Sequence, residues 1–249
     1  MLKNRKQLPC FGYIENFQFS IQDLIQTCRD LDLLDFKKYN DIKLSQNSKM
    51  AAFVKLNEFS KHHFFTEKES EYLEGERYKQ VYLTEIDPSI EVKLDNSSNQ
   101  SAGRRLSRLN PENENYNPLA DELNYGFRNH LVVSTFEKVL NSFEDKITRV
   151  RLAWLSPHFK IQPHVDYDPT YITRLHIPLI TNPNCLMHVF KNGEERKAHF
   201  PADGKVYFLN AGLKHYASNN SDTDRLHLIV DMHGQKSLES LRPLSGEVL

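Results

Sequence analysis

Residues 161–180, IQPHVDYDPTYITRLHIPLI, place His164 and Asp166 two apart, and ten residues after His164 they place Arg174, with His176 at the next alternate position. In an extended strand alternate side chains share a face, so each pair can reach one point in space. An imidazole and a carboxylate converging in this way are donors for a divalent metal, and a third donor must come from elsewhere. His215, in GLKHYASNN at the end of the strand-like run KVYFLN, sits where a loop can aim it inward. Two imidazoles and one carboxylate on one side of an ion leave the opposite positions open, which is the facial geometry of non-haem Fe(II) oxygenases. Open positions admit a co-substrate and dioxygen. Among eleven histidines an H-x-D pair alone has little specificity. The ordered set of H-x-D, R-x-H, a later His and an Arg ten residues beyond it has more.

That last residue, Arg225, opens the apolar run RLHLIVD. A guanidinium is costly to bury without an anion, and its planar fork matches a carboxylate. Asp222 and Asp224 are candidate partners close in sequence; a ligand carboxylate is the other. Arg174 and His176, alternate on their strand, suit a second carboxylate. A dicarboxylic co-substrate gripped at both ends, with iron between, would use all six residues.

The elements that must position these groups follow from Ile147 onward. ITRVRLAWL, YITRLHIPLI, CLMHVF, KAHF, KVYFLN and LHLIVDM are short strand-like runs, separated by SP, NPN, NGEE, PADG and SNNSDTD. Such punctuation predicts an antiparallel sandwich or barrel. Alternation in the first run turns Val150, Leu152 and Trp154 to the core and Arg149 and Arg151 the other way, toward an acidic substrate or water. Upstream, SIQDLIQTCRDLDLLDF predicts a helix with Ser20 as N-cap, and YKQVYLTEI a strand. STFEKVLNSFED predicts a second helix, with Ser134 and Glu137 in a capping box. Residues 95–118 form a polar loop whose Arg104, Arg105 and Arg108 either face water or close over an anionic substrate. The expected organisation is an α/β elaboration, 1–146, packed on a catalytic core, 147–249, as one structural unit.

With 249 residues, 39% hydrophobic and 26% charged at a net charge of −1, the chain is an ordinary globular sequence. The balance gives no support to a nucleic-acid or membrane-surface partner. Cys10, Cys28 and Cys185, odd in number and far apart, suit a reducing compartment. The opening MLKNRKQLPCFGYIENF is too polar for a signal peptide, and no apolar run is long enough to span a bilayer. A cytoplasmic protein is expected; nothing in the sequence marks its oligomeric state.

Residues 147–234 resemble the aspartyl/asparaginyl β-hydroxylase family of Fe(II)/2-oxoglutarate-dependent oxygenases, through QPHVD, TRLHIPL, GKVYFLNAGLKHYASN and RLHLIVD in that order. The resemblance implies a mainly β fold, a double-stranded β-helix (jelly roll, cupin-like), with a mixed α/β N-terminal half and flanking helices. It implies His164, Asp166 and His215 as iron ligands and Arg225 as the partner of the distal carboxylate of 2-oxoglutarate. Arg174 and His176 would lie near the carboxylate that chelates iron. The implied reaction uses dioxygen to hydroxylate an unactivated C–H and releases succinate and carbon dioxide. Animal protein-modifying members lack the carboxylate ligand, whereas Asp166 fills that position here. The chain is therefore more similar to the bacterial branch that hydroxylates free amino acids such as proline.

The expected substrate is an amino acid, free or carrier-linked. The alternatives are Asp or Asn side chains of a protein or peptide, or a non-catalytic cupin-like module that binds a metal or a small acid. Tyr167, Asp168, Tyr171, His158 and Arg105 are candidate substrate contacts. His227 shares the face of Arg225 and is a candidate lining residue. His188 and His199 read as ordinary strand histidines, and His62 and His63, beside a Phe pair, as structural.

Overall fold

The computed structural model describes residues 2–35, 78–90 and 121–245. In chain order these form β1 (Phe11–Ile14), α1 (Ile21–Asp30), β2 (Tyr78–Tyr82), β3 (Thr84–Glu85), β4 (Phe127–Arg128), α2 (Ser134–Asn141) and β5 (Lys146–Leu155). There follow β6 (Phe159–Lys160), β7 (Thr173–Ile180), β8 (Cys185–Lys191), β9 (Glu194–His199), β10 (Val206–Leu209), β11 (Lys214–Asn219), β12 (Arg225–His233) and β13 (Leu241–Pro243). Seven strands make a major sheet in the order β13-β1-β10-β7-β12-β5-β2, and four make a minor sheet, β6-β11-β8-β9. Every named pairing between strands is antiparallel. Two facing antiparallel sheets joined in this order are a jelly roll. β1 and β2, from the N-terminal half, lie in the same sheet as the strands of the C-terminal half.

Alternation divides the major sheet into two chemistries. On one face Val150, Leu152 and Trp154 of β5, Leu175, Ile177 and Leu179 of β7, and Leu226, Leu228, Val230 and Met232 of β12 form one apolar cluster with both helices. The helices supply it through stripes at helical spacing: Ile21, Leu24 and Cys28 from α1, and Phe136, Val139 and Leu140 from α2. Removing the fully buried ring of Phe136 would cost about 3–5 kcal/mol. The opposite, inner face meets the minor sheet through Met187, Val189, Ala217, Tyr207 and Leu209. It also carries the buried arginines and histidines.

Local chemistry explains most element ends. The Ser20 side chain accepts a hydrogen bond from the Asp23 backbone N–H at 3.3 Å and starts α1. The expected capping box on α2 is absent. Val133 is its N-cap and Ser134 its first helical residue, while the Glu137 carboxylate is taken by Arg128 of β4 instead. The β8–β9 hairpin turns on Asn192 and Gly193, at φ 55° and 82°. That left-handed pair fits the strand twist, so Glu194 and Glu195, read above as turn, open β9. The polar loop 95–118, with Arg104, Arg105 and Arg108, and the pair His62–His63 lie outside the described residues. Among the described residues no helix is long and apolar enough to cross a membrane.

Candidate functional site

His164 and Asp166 do not sit on a regular strand. Their segment is extended but joins the minor sheet by a single bridge, His164 to His215. The two backbones exchange hydrogen bonds of 2.9 and 2.8 Å, and the Asp166 N–H donates to Ala211 O at 2.9 Å. Prolines at 163 and 169 bracket the segment and deny it further ladder donors. His215 belongs to β11, not to a loop; this strand, KHYASN, is mostly polar and lacks the apolar run that would mark it in sequence. The result nonetheless matches the spacing argument. Nε2 of His164 and Nε2 of His215 each lie 3.7 Å from Oδ2 of Asp166. One donor atom from each of the three residues falls within 4.8 Å of the others.

Both rings are prepared for that geometry. His164 Nδ1 is 2.8 Å from Gln162 O and His215 Nδ1 is 2.9 Å from Leu213 O. A carbonyl only accepts, so each Nδ1 carries a proton and the Nε2 atom is the one turned toward Asp166. Burial, and then the neighbouring His164, push the His215 pKa down to about 4 against the pull of Asp166, so the ring is neutral near pH 7. Two imidazole Nε2 atoms and a carboxylate on one side suit a divalent transition metal.

Farther along the inner face, at the opposite end of β12, Arg225 is 3% exposed. Its guanidinium lies 2.9–3.1 Å from the two ring nitrogens of His227 and 3.6 Å from Met187 Sδ. No carboxylate among the described residues forms an ion pair with it; Asp222, one of its two candidate partners, pairs with His158 at the surface instead. Burial without an anion lowers the Arg225 pKa to about 10. His227 Nδ1 is 3.3 Å from His176 Nδ1, and His176 Nε2 is buried with no hydrogen-bond partner. Desolvation first, then Arg225, hold both histidines well below their ordinary pKa. This part of the inner face presents a cation with neutral imidazoles beside it and no carboxylate in an ion pair among the described residues, a chemistry that matches a carboxylate.

The description Aspartyl/Asparaginyl beta-hydroxylase matches residues 56–234. The chain belongs to the aspartyl/asparaginyl beta-hydroxylase family. It is 36% identical over 126 residues to an L-proline cis-4-hydroxylase of Rhizobium meliloti (strain 1021), an alignment covering 49% of this chain and 40% of that relative. Among solved structures it is similar to a 2OG-Fe(II) oxygenase family oxidoreductase from Burkholderia pseudomallei, with a TM-score of 0.34 and 18% identity over 41% of this chain and 58% of the other. A cupin domain from Bordetella pertussis gives a TM-score of 0.29 and 16% identity, over 37% and 88%.

In this family member the remaining arginines of the inner face are already paired. Arg174 sets Nε and Nη2 on Asp231 at 2.7 and 2.9 Å and turns Nη1 to Asp166. Arg151 meets the same Asp231 at 2.8 Å. Arg149 Nε stands 2.9 Å from Glu122 Oε2 and its guanidinium lies over the Tyr125 ring, 4.2 Å from the centroid. Arg151 therefore turns to a buried carboxylate rather than to water, and Arg149 to the half-buried carboxylate of Glu122. Asp231 and Glu122 were not singled out from sequence. Asp231 had a signal, a carboxylate in an apolar run at the same parity as Arg225 and His227; Glu122 had none.

The candidate substrate contacts separate. The Tyr171 hydroxyl donates to Asp121 Oδ1 at 2.6 Å and accepts from the Glu122 N–H at 3.1 Å. Tyr167 packs edge-on against Tyr171 at 4.9 Å. Asp168 is turned onto its own loop, accepting from Thr170 at 3.1 and 3.0 Å, with Arg5 nearby. His158 stands apart on the β5–β6 turn, at the Arg225 end of the sheet, exposed and 2.8 Å from Asp222; Arg105 is outside the described residues. His188 and His199 are outward strand histidines, bonded to Ser218 Oγ at 2.9 Å and to Cys185 O at 3.1 Å.

Proposed function

We propose that this chain is an Fe(II)- and 2-oxoglutarate-dependent dioxygenase that hydroxylates an unactivated C–H of an amino acid, free or carrier-linked, with succinate and carbon dioxide as co-products. The observation that carries this reading is the convergence of His164, Asp166 and His215 on one point, with a buried Arg225, paired with no carboxylate among the described residues, on the same inner face. His164, Asp166 and His215 would hold the iron. When bound, it would supply the dioxygen activation that no side chain can provide.

The chain's own residues have the other tasks. Arg225 would take the distal carboxylate of 2-oxoglutarate in its fork, and that anion offsets the desolvation of the guanidinium. His176, with an unsatisfied Nε2, would bond the carboxylate nearer the metal; Arg174 stands beside it, already engaged by Asp231 and Asp166. The neutral state of His176 and His227 keeps the positive charge on Arg225 alone, which favours one orientation of a dicarboxylate. Apolar surface from Met187, Leu155 and Phe200 would exclude water along the chain of the co-substrate. Tyr167 and Tyr171 would wall the substrate end. The partial identity to an L-proline cis-4-hydroxylase supports an amino acid as substrate over an Asp or Asn side chain of a protein.

Anaerobic titration of the metal-free protein with Fe(II) and then 2-oxoglutarate tests this. A weak visible metal-to-ligand charge-transfer band is expected, lost in His215→Ala and weakened in Arg225→Ala. Iron bound with no band would favour a cupin-like binding module instead. Failure to bind iron would end the facial-triad reading. Succinate release stimulated by single amino acids and not by peptides would then separate the two substrate classes.

A further inference from the structure

Asp231 is the most heavily used carboxylate of the inner face and takes no part in the proposed metal set. It is 1% exposed. Oδ1 and Oδ2 both accept from Arg174, at 2.7 and 2.9 Å, and Oδ2 also meets Arg151 at 2.8 Å. The sheet places it there by register: Asp231 is the direct partner of Arg174 across β12 and β7. On its other side the β12–β5 ladder shifts between Val230 and Met232, and such an irregularity re-aims the side chains around it. With Nε and Nη2 fixed on Asp231, the one remaining terminal nitrogen of Arg174 points at Asp166 Oδ2. That is the same oxygen that lies 3.7 Å from each of the two imidazole Nε2 atoms.

We infer that Asp231 is the positioning residue of the metal centre: it holds Arg174 against Asp166 and offsets the charge of Arg151 and Arg174 beside the site. This rests on the metal reading of His164, Asp166 and His215. The argument has two parts with the same sign. Without the Asp231 carboxylate, Arg174 has no anchor and can swing its full fork onto Asp166, competing with a metal for the carboxylate oxygens. Two arginines would also stand unneutralised next to an incoming divalent cation. Both effects weaken metal binding, and partners of metal ligands typically change affinity by about 10–100-fold when removed.

The test is Co(II) binding to the full chain stripped by chelator, followed by calorimetry and by the visible spectrum of bound Co(II). Asp231→Asn is expected to bind Co(II) about 10–100-fold more weakly than wild type. Arg174→Lys is expected to weaken binding as well, and the double variant no more than the worse single one, since both act through one contact. Asp231→Glu keeps the charge but displaces it, so if Asp231→Asn does not fold, a shifted Co(II) spectrum and several-fold weaker binding in Asp231→Glu carry the same conclusion. Asp145→Asn is the control for mere stability. It removes a buried carboxylate that accepts from the Lys236 and Ser237 backbone, away from the site, and should lower the unfolding midpoint but leave Co(II) affinity alone. Wild-type affinity and spectrum in a folded Asp231 variant would overturn the inference. Absence of Co(II) binding in wild type would instead overturn the metal reading beneath it.

Discussion

Two ends of one sheet face treat buried charge in opposite ways. Toward Asp166, Arg151 and Arg174 share Asp231, and every contact between them is 2.9 Å or shorter. At the start of β12, Arg225 is 3% exposed and its guanidinium meets the His227 ring and the Met187 thioether, with no carboxylate among the described residues in an ion pair with it. The paired end is complete within the protein and reads as framework. A cation with no carboxylate among the described residues is costly to bury, and an anion supplied by a ligand would offset that cost. Burial therefore does not distinguish structure from site here; the presence or absence of an internal counter-charge does.

This comparison can be broken most directly at the paired end. Arg151→Met leaves Asp231 with one partner in a buried setting and is expected to cost about 3–5 kcal/mol, read as a lower urea midpoint at unchanged slope. A cost below 1 kcal/mol would mean that the charge network is not framework.

At the other end Arg225→Met removes a cation that has no carboxylate partner among the described residues. It should leave folding stability unchanged or higher while weakening 2-oxoglutarate binding about 100-fold, roughly 3 kcal/mol. Calorimetric titration of the metal-loaded protein alongside urea unfolding separates the two quantities, and a large loss of stability would show that Arg225 is structural after all.

The smallest effect sharpens the contrast through pH. His176 and His227 are held neutral, with folded pKa values well below the ordinary histidine value. The unfolded chain takes up their protons near pH 6.5, so their contribution is present above that pH and is lost as pH falls toward the folded values. Each contributes a slope of up to about 1.4 kcal/mol per pH unit below pH 6.5. Urea midpoints at pH 7.5 and 5.5 should fall less steeply in His227→Gln than in wild type; equal slopes would mean that His227 is protonated in the fold.

Much of the site was legible because it rests on short-range regularities. Parity along β7 and β12 turns Arg174 with His176, and Arg225 with His227, to one face, and it also predicts Val150, Leu152 and Trp154 in the core, where they lie. The failures have physical causes as well. His164 and Asp166 share a side without a regular strand, because one bridge to β11 and prolines on either side hold the segment extended. The Ser134 capping box fails because Glu137 of the helix finds Arg128, a partner from the strand β4. β11 escaped notice because its residues, KHYASN, are mostly polar and form no apolar run.

What the sequence alone determines about this protein is the ordered set of donors and cations and the faces they must share, since side-chain alternation is a property of the extended backbone. Only the tertiary structure decides which arginine has a carboxylate. Arg151, Arg174 and Arg225 are alike in type and share the inner face, and their partners come through cross-strand register: Asp231 lies opposite Arg174, while Leu155 lies opposite Arg225. That assignment depends on contacts between residues far apart in the chain, which local pattern does not encode, and on the proposed reading it separates framework from site.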